Sequence, residues 1–265
     1  MLILIKGAGD LATGVAHRLH RCGFSIVMTE VPQPTTVRCT VAFSPAVYNG
    51  QAQVEGVTAR LAQTPKQALD ITHEGDVAVL VDPDCACLCD LQPDAVVDAI
   101  LAKENLGTHI TDAPIVVAMG PGFTAGVDCH AVVETKRGHT LGKVITQGSA
   151  VPNTGVPGNI GGYTKERIIR ASADGTFTPN VSIGDVVEKD AVVAAVDGHP
   201  IFAQISGVIR GILPSGTTVH TGMKAGDIDP RNVVDHCWSI SDKARAVAGG
   251  VLEAILYLNH QEVTK

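Results

Sequence analysis

Met1-Leu-Ile-Leu-Ile-Lys-Gly-Ala-Gly-Asp-Leu-Ala-Thr-Gly14 decides how the chain is read. Met1 to Ile5 is an unbroken apolar run, the length and branching of a strand buried on both faces. Gly7 and Gly9 follow at once, and then a segment with helical periodicity in which Leu11, Val15, Ala16 and Leu19 share one face. Arg18, His20 and Arg21 sit where positive charge suits a helix C-terminus. Gly23 stops the helix. A second apolar run, Phe24 to Thr29, ends at Glu30. The order is strand, glycine turn, helix, strand, acid.

That order suits a dinucleotide. Gly7 allows a tight turn, and Gly9 lets backbone approach a diphosphate. Ala12 stands where a third small residue packs helix on strand, giving G-x-G-x-x-A. Asp10 and Leu11 lie on the same turn, where free N–H groups and the helix dipole attract an anion. Glu30 follows Gly9 by about 20 positions, the interval of an acid that bonds a ribose hydroxyl. Arg38 is a further candidate, for a phosphate or a base. Asp10 suits the helix dipole but repels phosphate, and a metal, a ribose or a substrate amine is the alternative it could face.

Composition narrows the class. The chain has 265 residues, 45% of them apolar and only 3% aromatic, so its core is aliphatic. Net charge is −7 with no basic stripe, which argues against nucleic acid as a partner. No stretch reaches the ~18 apolar residues of a membrane span, and the N-terminus starts on a strand without a signal-like region. A cytoplasmic protein is expected, with its seven cysteines as thiols.

Further along, Thr64-Pro65 marks a helix start. Asp76 to Asp82 and Ile115 to Ala118 read as more buried strands, and Pro93 to Lys103 as a strand passing into turn or helix. Cys85, Cys87 and Cys89 alternate, but their spacing is not that of structural zinc, and no metal site is expected. Gly120-Pro-Gly122-Phe-Thr-Ala-Gly126 follows a strand, at the sheet edge where open α/β folds bind ligands. Gly120 and Gly122 are counted as ligand-binding there. Asp112, Asp128 and His139 are the catalytic candidates. Residues 146–162 read as a glycine-rich linker.

After Ala171 the chain turns to short β runs. Val181 to Val196 and Pro214 to Ile228 repeat one spacing, Gly184 matching Gly216 and Val187 matching Val219. The repeat resembles the barrel-sandwich hybrid of biotinyl and lipoyl domains, although its Asp197-Gly-His-Pro200 hairpin lacks the carrier lysine. The expected fold is α/β: a Rossmann-like parallel-sheet, nucleotide-binding domain over 1–160, a barrel-sandwich hybrid-like β domain over 161–235, and a C-terminal helix over 236–265 packing on the first domain.

Four segments together resemble the YqeB family. They are Gly7 to Gly14, Gly120 to Gly126, Glu134-Thr-Lys-Arg-Gly-His139 and Gly222-Met-Lys-Ala-Gly-Asp-Ile-Asp-Pro230. The chain is more loosely similar to the Rossmann half of XdhC proteins. The resemblance implies a maturation factor of a selenium-dependent molybdenum hydroxylase system, binding NAD(P) or the molybdopterin dinucleotide. A hydroxylase apoenzyme would be its partner, and open sheet edges would permit a homodimer. The rivals are an NAD(P)-dependent oxidoreductase, with His139 or Asp112 as acid or base, and a non-catalytic binding scaffold. The resemblance assigns no role to the three clustered cysteines.

Overall fold

A computed structural model describes residues 1–263. The chain divides into two compact units. The first comprises residues 1–34, 42–154 and 240 onward, and the second comprises Thr35–Val41 and Gly155–Ser239.

The first unit opens with β1 (Leu2–Lys6), α1 (Asp10–Arg21) and β2 (Ser25–Glu30). Next come a one-turn helix α2 (Ala46–Asn49), the hairpin β3 (Gln51–Val54) and β4 (Val57–Ala62), and α3 (Pro65–His73). Then follow β5 (Val77–Val81), a one-turn α4 (Leu88–Leu91), β6 (Ala95–Asp98) and β7 (Ile115–Met119). Short strands β8 (Thr124–Ala125), β9 (Ala131–Val133), β10 (Val144–Ile145) and β11 (Gly148–Ser149) complete the sheets, and α5 (Asp242–Val263) closes the unit.

Nine of these strands form one sheet in the order β10-β9-β7-β6-β1-β2-β5-β4-β3. Pairing is parallel from β9 through β4, and antiparallel at both edges, β10 on β9 and β3 on β4. Ile3, Leu4 and Ile5 are fully buried, as an aliphatic run covered on both faces must be. On one face Leu4, Val27, Ala78 and Val96 pack with Ala68 and Ile71 of α3 and with Phe123. Each buried Leu, Val, Ile or Phe among them contributes about 1.5–3 kcal/mol. On α1, Gly14 meets Ala244 of α5, and α5 also runs along β7 and β9. Thr64 caps α3 as its spacing predicts, its hydroxyl accepting from Gln67 N at 3.2 Å. Ser241 caps α5 in the same way, through Ala244 N at 3.1 Å.

The second unit carries β12 (Ile168–Arg170), β13 (Gly175–Pro179), β14 (Val186–Val187), β15 (Val192–Val196), β16 (His199–Phe202), β17 (Gly207–Ile212), β18 (Thr217–Val219) and β19 (Lys224–Asp229). They form two four-stranded sheets, β12-β19-β17-β14 and β16-β15-β13-β18, and every pairing in them is antiparallel.

The fold expected from the sequence is corrected on both counts. The Rossmann-like parallel sheet is a mixed one. The two-residue turn at Glu55-Gly56 sends β4 back along β3, and β10 returns along β9, so both edges run against the centre. Among the described residues no helix joins β6 to β7, so the expected strand–helix alternation lapses there. The expected barrel-sandwich hybrid is replaced by two separate four-stranded antiparallel sheets that share no strand and enclose one buried core. The two copies of the spacing repeat send their first strands, β14 and β18, to different sheets. The Cys85 to Cys89 segment is a turn entering α4, not a strand.

Candidate functional site at the carboxyl edge of the large sheet

Strands β6, β1, β2 and β5 are neighbours in the sheet, and their carboxyl ends bring most of the chemistry of the first unit together. Gly7 leaves β1 at φ +93°, a conformation open to glycine. A Cβ there would lie 3.3 Å from Ala99 O and Ile100 Cα, so the bare turn serves the protein's own close packing. Gly9 is the N-cap of α1 and offers no side-chain cap. Of the turn amides, Ala8 N is taken by Glu30 Oε2 at 3.0 Å. Val31 N donates to the other Glu30 oxygen at 2.8 Å. Burial raises the Glu30 pKa above the ordinary carboxylate range, and these two amides pull the other way. Leu11 and Ala12 are buried in the first turn of α1. Gly7, Gly9, Asp10, Leu11, Ala12 and Glu30 are therefore gathered at one place.

Beside them lies a polar cluster that periodicity does not reveal. Lys6 is 5% exposed, and its Nζ donates to Thr108 Oγ1 at 2.8 Å. Thr108, fully buried, donates in turn to Asp98 Oδ2 at 2.6 Å. Asp98 Oδ1 accepts from Ile100 N at 3.2 Å. In register across the strands, Lys6 stands opposite both Asp98 and Thr29.

Cys85 and Cys87 complete the cluster. Asp82, just past β5, accepts from Ala86 N at 3.0 Å and Cys87 N at 2.8 Å, which winds the chain into a tight turn. Cys85 sits in that turn at φ +57°, a left-handed conformation costly for a side chain with a Cβ. Both thiols are buried. The neighbours of the Cys85 thiol are the Cys87 thiol, the Thr29 hydroxyl and the Lys6 ammonium. Hydrogen bonding to Cys87 and the Lys6 charge favour the Cys85 thiolate and lower its pKa against the opposing effect of burial. Cys87 goes the other way, held protonated by Cys85, by burial and by Asp82. One thiol of the pair is poised to lose its proton and its neighbour to keep one.

The remaining sequence candidates lie elsewhere. A Cβ on Gly120 would meet Thr135 Oγ1 at 2.6 Å, and one on Gly122 would meet Glu104 Cα at 2.7 Å, so both positions are filled by close packing. Asp112 accepts from His109 N at 3.0 Å, and Asp128 from Thr124 N at 2.7 Å, each bracing its own turn. His139 is exposed. Arg38 belongs to the second unit, where its Nη2 donates to the carbonyls of His236 and Ser239 at 3.1 and 3.3 Å. Among the described residues, no group of three or more His, Cys, Asp or Glu is arranged to hold a metal ion. No helix there is long and apolar enough to cross a membrane.

No family model matches the chain. Among solved structures it is similar to an aspartoacylase family protein from Mesorhizobium loti, at 12% identity over 86% of this chain and 83% of that one, TM-score 0.27. It is similar to a succinylglutamate desuccinylase from Silicibacter, at 12% over 86% and 84%, TM-score 0.26. The ectoine utilization protein EutE of Ruegeria pomeroyi matches at 13% over 86% and 84%, TM-score 0.26. None of these names is that of a molybdenum hydroxylase accessory factor. The maturation-factor reading does not stand, nor do the NAD(P)-dependent oxidoreductase and the bare scaffold. At such TM-scores the neighbours lend this chain no activity of their own. By sequence, the chain is 55% identical over 262 residues to YqeB of Escherichia coli K12, a protein described as uncharacterized. That match takes in 99% of this chain and 48% of YqeB. The YqeB resemblance carried by the glycine motifs is thus supported, and the chain is a relative of YqeB that spans about half of that protein's length.

Proposed function

We propose that the chain performs thiol-dependent group transfer at the carboxyl edge of its large sheet. Cys85 is the nucleophile, and Cys87 keeps its proton beside the thiolate. Lys6 supplies the charge that holds the thiolate. The observation that carries this reading is the Cys85 thiol at a strained backbone position, against Cys87, Thr29 and Lys6. In the step, the Cys85 thiolate attacks an electrophilic centre of the substrate and the bond to the leaving group breaks. The leaving group departs with a proton from water, and the transferred group stays on Cys85 sulfur until a second acceptor takes it.

The same edge supplies an anion-binding element. The uncapped N-terminus of α1, with Gly9, Asp10, Leu11 and Ala12, suits a phosphate-bearing ligand. A dinucleotide, NAD(P) or the molybdopterin dinucleotide, is the proposed occupant, with Glu30 on a ribose hydroxyl. The reading asks for a reducing compartment, and the cytoplasm would keep both thiols reduced.

The test is the pH–rate profile of alkylation at Cys85, followed by peptide mass spectrometry on the folded chain with iodoacetamide. Cys85 is expected to react with an apparent pKa below that of a free cysteine, and Lys6→Met is expected to move the profile upward. A Cys85 that stays unlabelled in the folded chain, or a profile unmoved by Lys6→Met, would overturn the proposal.

A further inference from the structure

The second unit holds a buried cation that its carboxylate neighbours neutralise only in part, at a distance and without a hydrogen bond. Arg210 lies on β17, a strand buried along its whole length, and is 6% exposed. Its Nε is buried without a hydrogen-bond partner, and no hydrogen bond joins its guanidinium to an acceptor among the described residues. A buried charge in that state is costly, so folded chains pair such groups or reserve them for a ligand.

The nearby carboxylates are taken. Asp229, 1% exposed, is gripped by Arg231 through Nε at 2.9 Å and Nη2 at 2.6 Å. Arg210 Nε comes no nearer to it than 3.8 Å. Asp227 is held by Arg167 at 2.5 Å. His236 Nδ1 stands 4.0 Å from Asp229. Burial lowers the Arg210 pKa, Arg38 and Arg231 add to this by repulsion, and Asp227 and Asp229 offset only part of it.

The backbone aims this side chain deliberately. β17 pairs with β19 as Ile209 opposite Ile228 and Gly211 opposite Asp227, and the register slips between them, at Arg210. A bulge of this kind re-aims one side chain out of the ladder and is frequent beside binding sites. Next to it Gly211 admits the Val37 backbone, whose carbonyl would lie 2.7 Å from a Cβ. Val37 O also accepts from Ile212 N at 2.8 Å, which fixes the bulge in place. The side chains of Arg231 and His236 are 40% and 38% exposed and open the cluster to solvent.

We infer that Arg210, with Arg231 and Arg38 around it, forms a binding site for a small oxyanion, a phosphate or carboxylate group of a metabolite. The planar guanidinium matches two oxygens of such a group at once. This site is separate from the thiol cluster, and its test reads no thiol chemistry.

The experiment is thermal unfolding of the full chain at constant ionic strength, titrated with inorganic phosphate, with succinate, and with sodium chloride as the control. A saturable rise in melting temperature with phosphate or with succinate, absent with chloride and lost in Arg210→Met, is the expected result. Phosphate alone would mark the ligand as a phosphate ester, and succinate alone as a carboxylate. Arg210→Lys keeps the charge without the fork and is expected to weaken the effective anion by about tenfold. It also serves if the Met variant does not fold. No rise with either anion, or the same rise in both variants as in the parent chain, would overturn the inference.

Discussion

The Lys6 ammonium and the Asp98 carboxylate end neighbouring parallel strands in register, joined through the one hydroxyl of Thr108. All three groups are buried, so the hydroxyl is both acceptor and donor with no water to replace it. Thr108→Val keeps the shape and removes both bonds. A loss of about 1–3 kcal/mol in urea unfolding is expected, the cost of stranding buried polar partners. Lys6→Met, which leaves the buried Asp98 carboxylate without its neighbouring cation, should cost more, about 3–5 kcal/mol. A Thr108→Val midpoint equal to the parent's would mean the trio is not coupled.

Two adjacent glycines in α5 should answer oppositely to the same change. A Cβ on Gly250 would lie 2.1 Å from Gly142 O, a backbone atom that cannot step aside. At Gly249 the nearest atom is Nη1 of Arg18 at 3.4 Å, the far end of a flexible side chain. Gly250→Ala is expected to destabilise by roughly 3 kcal/mol or more through overpacking. Gly249→Ala should gain up to about 1 kcal/mol from helix propensity. Thermal melts of the two variants side by side decide it, and equal melting temperatures would refute the close approach of α5 to Gly142.

Acid should find a weak point at His17. Burial lowers the pKa of this imidazole, while the Glu55 carbonyl and carboxylate pull it up and Arg21 and Arg245 press it down. The folded chain therefore binds this proton less readily than the unfolded chain does. Its contribution to stability is complete above about pH 6.5, the unfolded value, and drains away as pH falls toward the lower folded value. Urea midpoints at pH 8 and pH 5.5 should differ less in His17→Gln than in the parent, and an unchanged difference would remove His17 from the account.

The thiols should react in a fixed order. Cys22 and Cys89 are exposed and should label first in the folded protein. Cys129 is fully buried, and burial with the neighbouring Asp128 charge pushes its pKa up to about 12. It should stay unlabelled at pH 8 until denaturant is added, as read by mass spectrometry. Early modification of Cys129 would show that its surroundings open readily.

What the sequence disclosed depended on range. The apolar run before Gly7 and the Thr64-Pro65 helix start are local signals, and both appear in place. Strand direction at the sheet edges was hidden, because a short apolar run such as Ala131 to Val133 carries no sign of which way its neighbour runs. The thiol cluster was hidden for another reason. Cys85 to Cys89 alternate like strand residues, but Asp82 coils the segment into a turn, and Lys6 and Thr29 reach Cys85 only because β1 and β2 neighbour β5 in the sheet. Arg38 reads as a candidate for a phosphate or a base, yet residues 35–41 leave the first unit and join the second.

That seven-residue excursion governs how the molecule can be cut. Thr35–Val41 gives the second unit the Val37 carbonyl that secures Ile212, so a clipped piece running from 155 to 239 would start life with a missing stave. Protease nicking between the units should accordingly yield fragments that stay associated until denatured, and neither unit can be borrowed by genetic fusion as a single uninterrupted stretch.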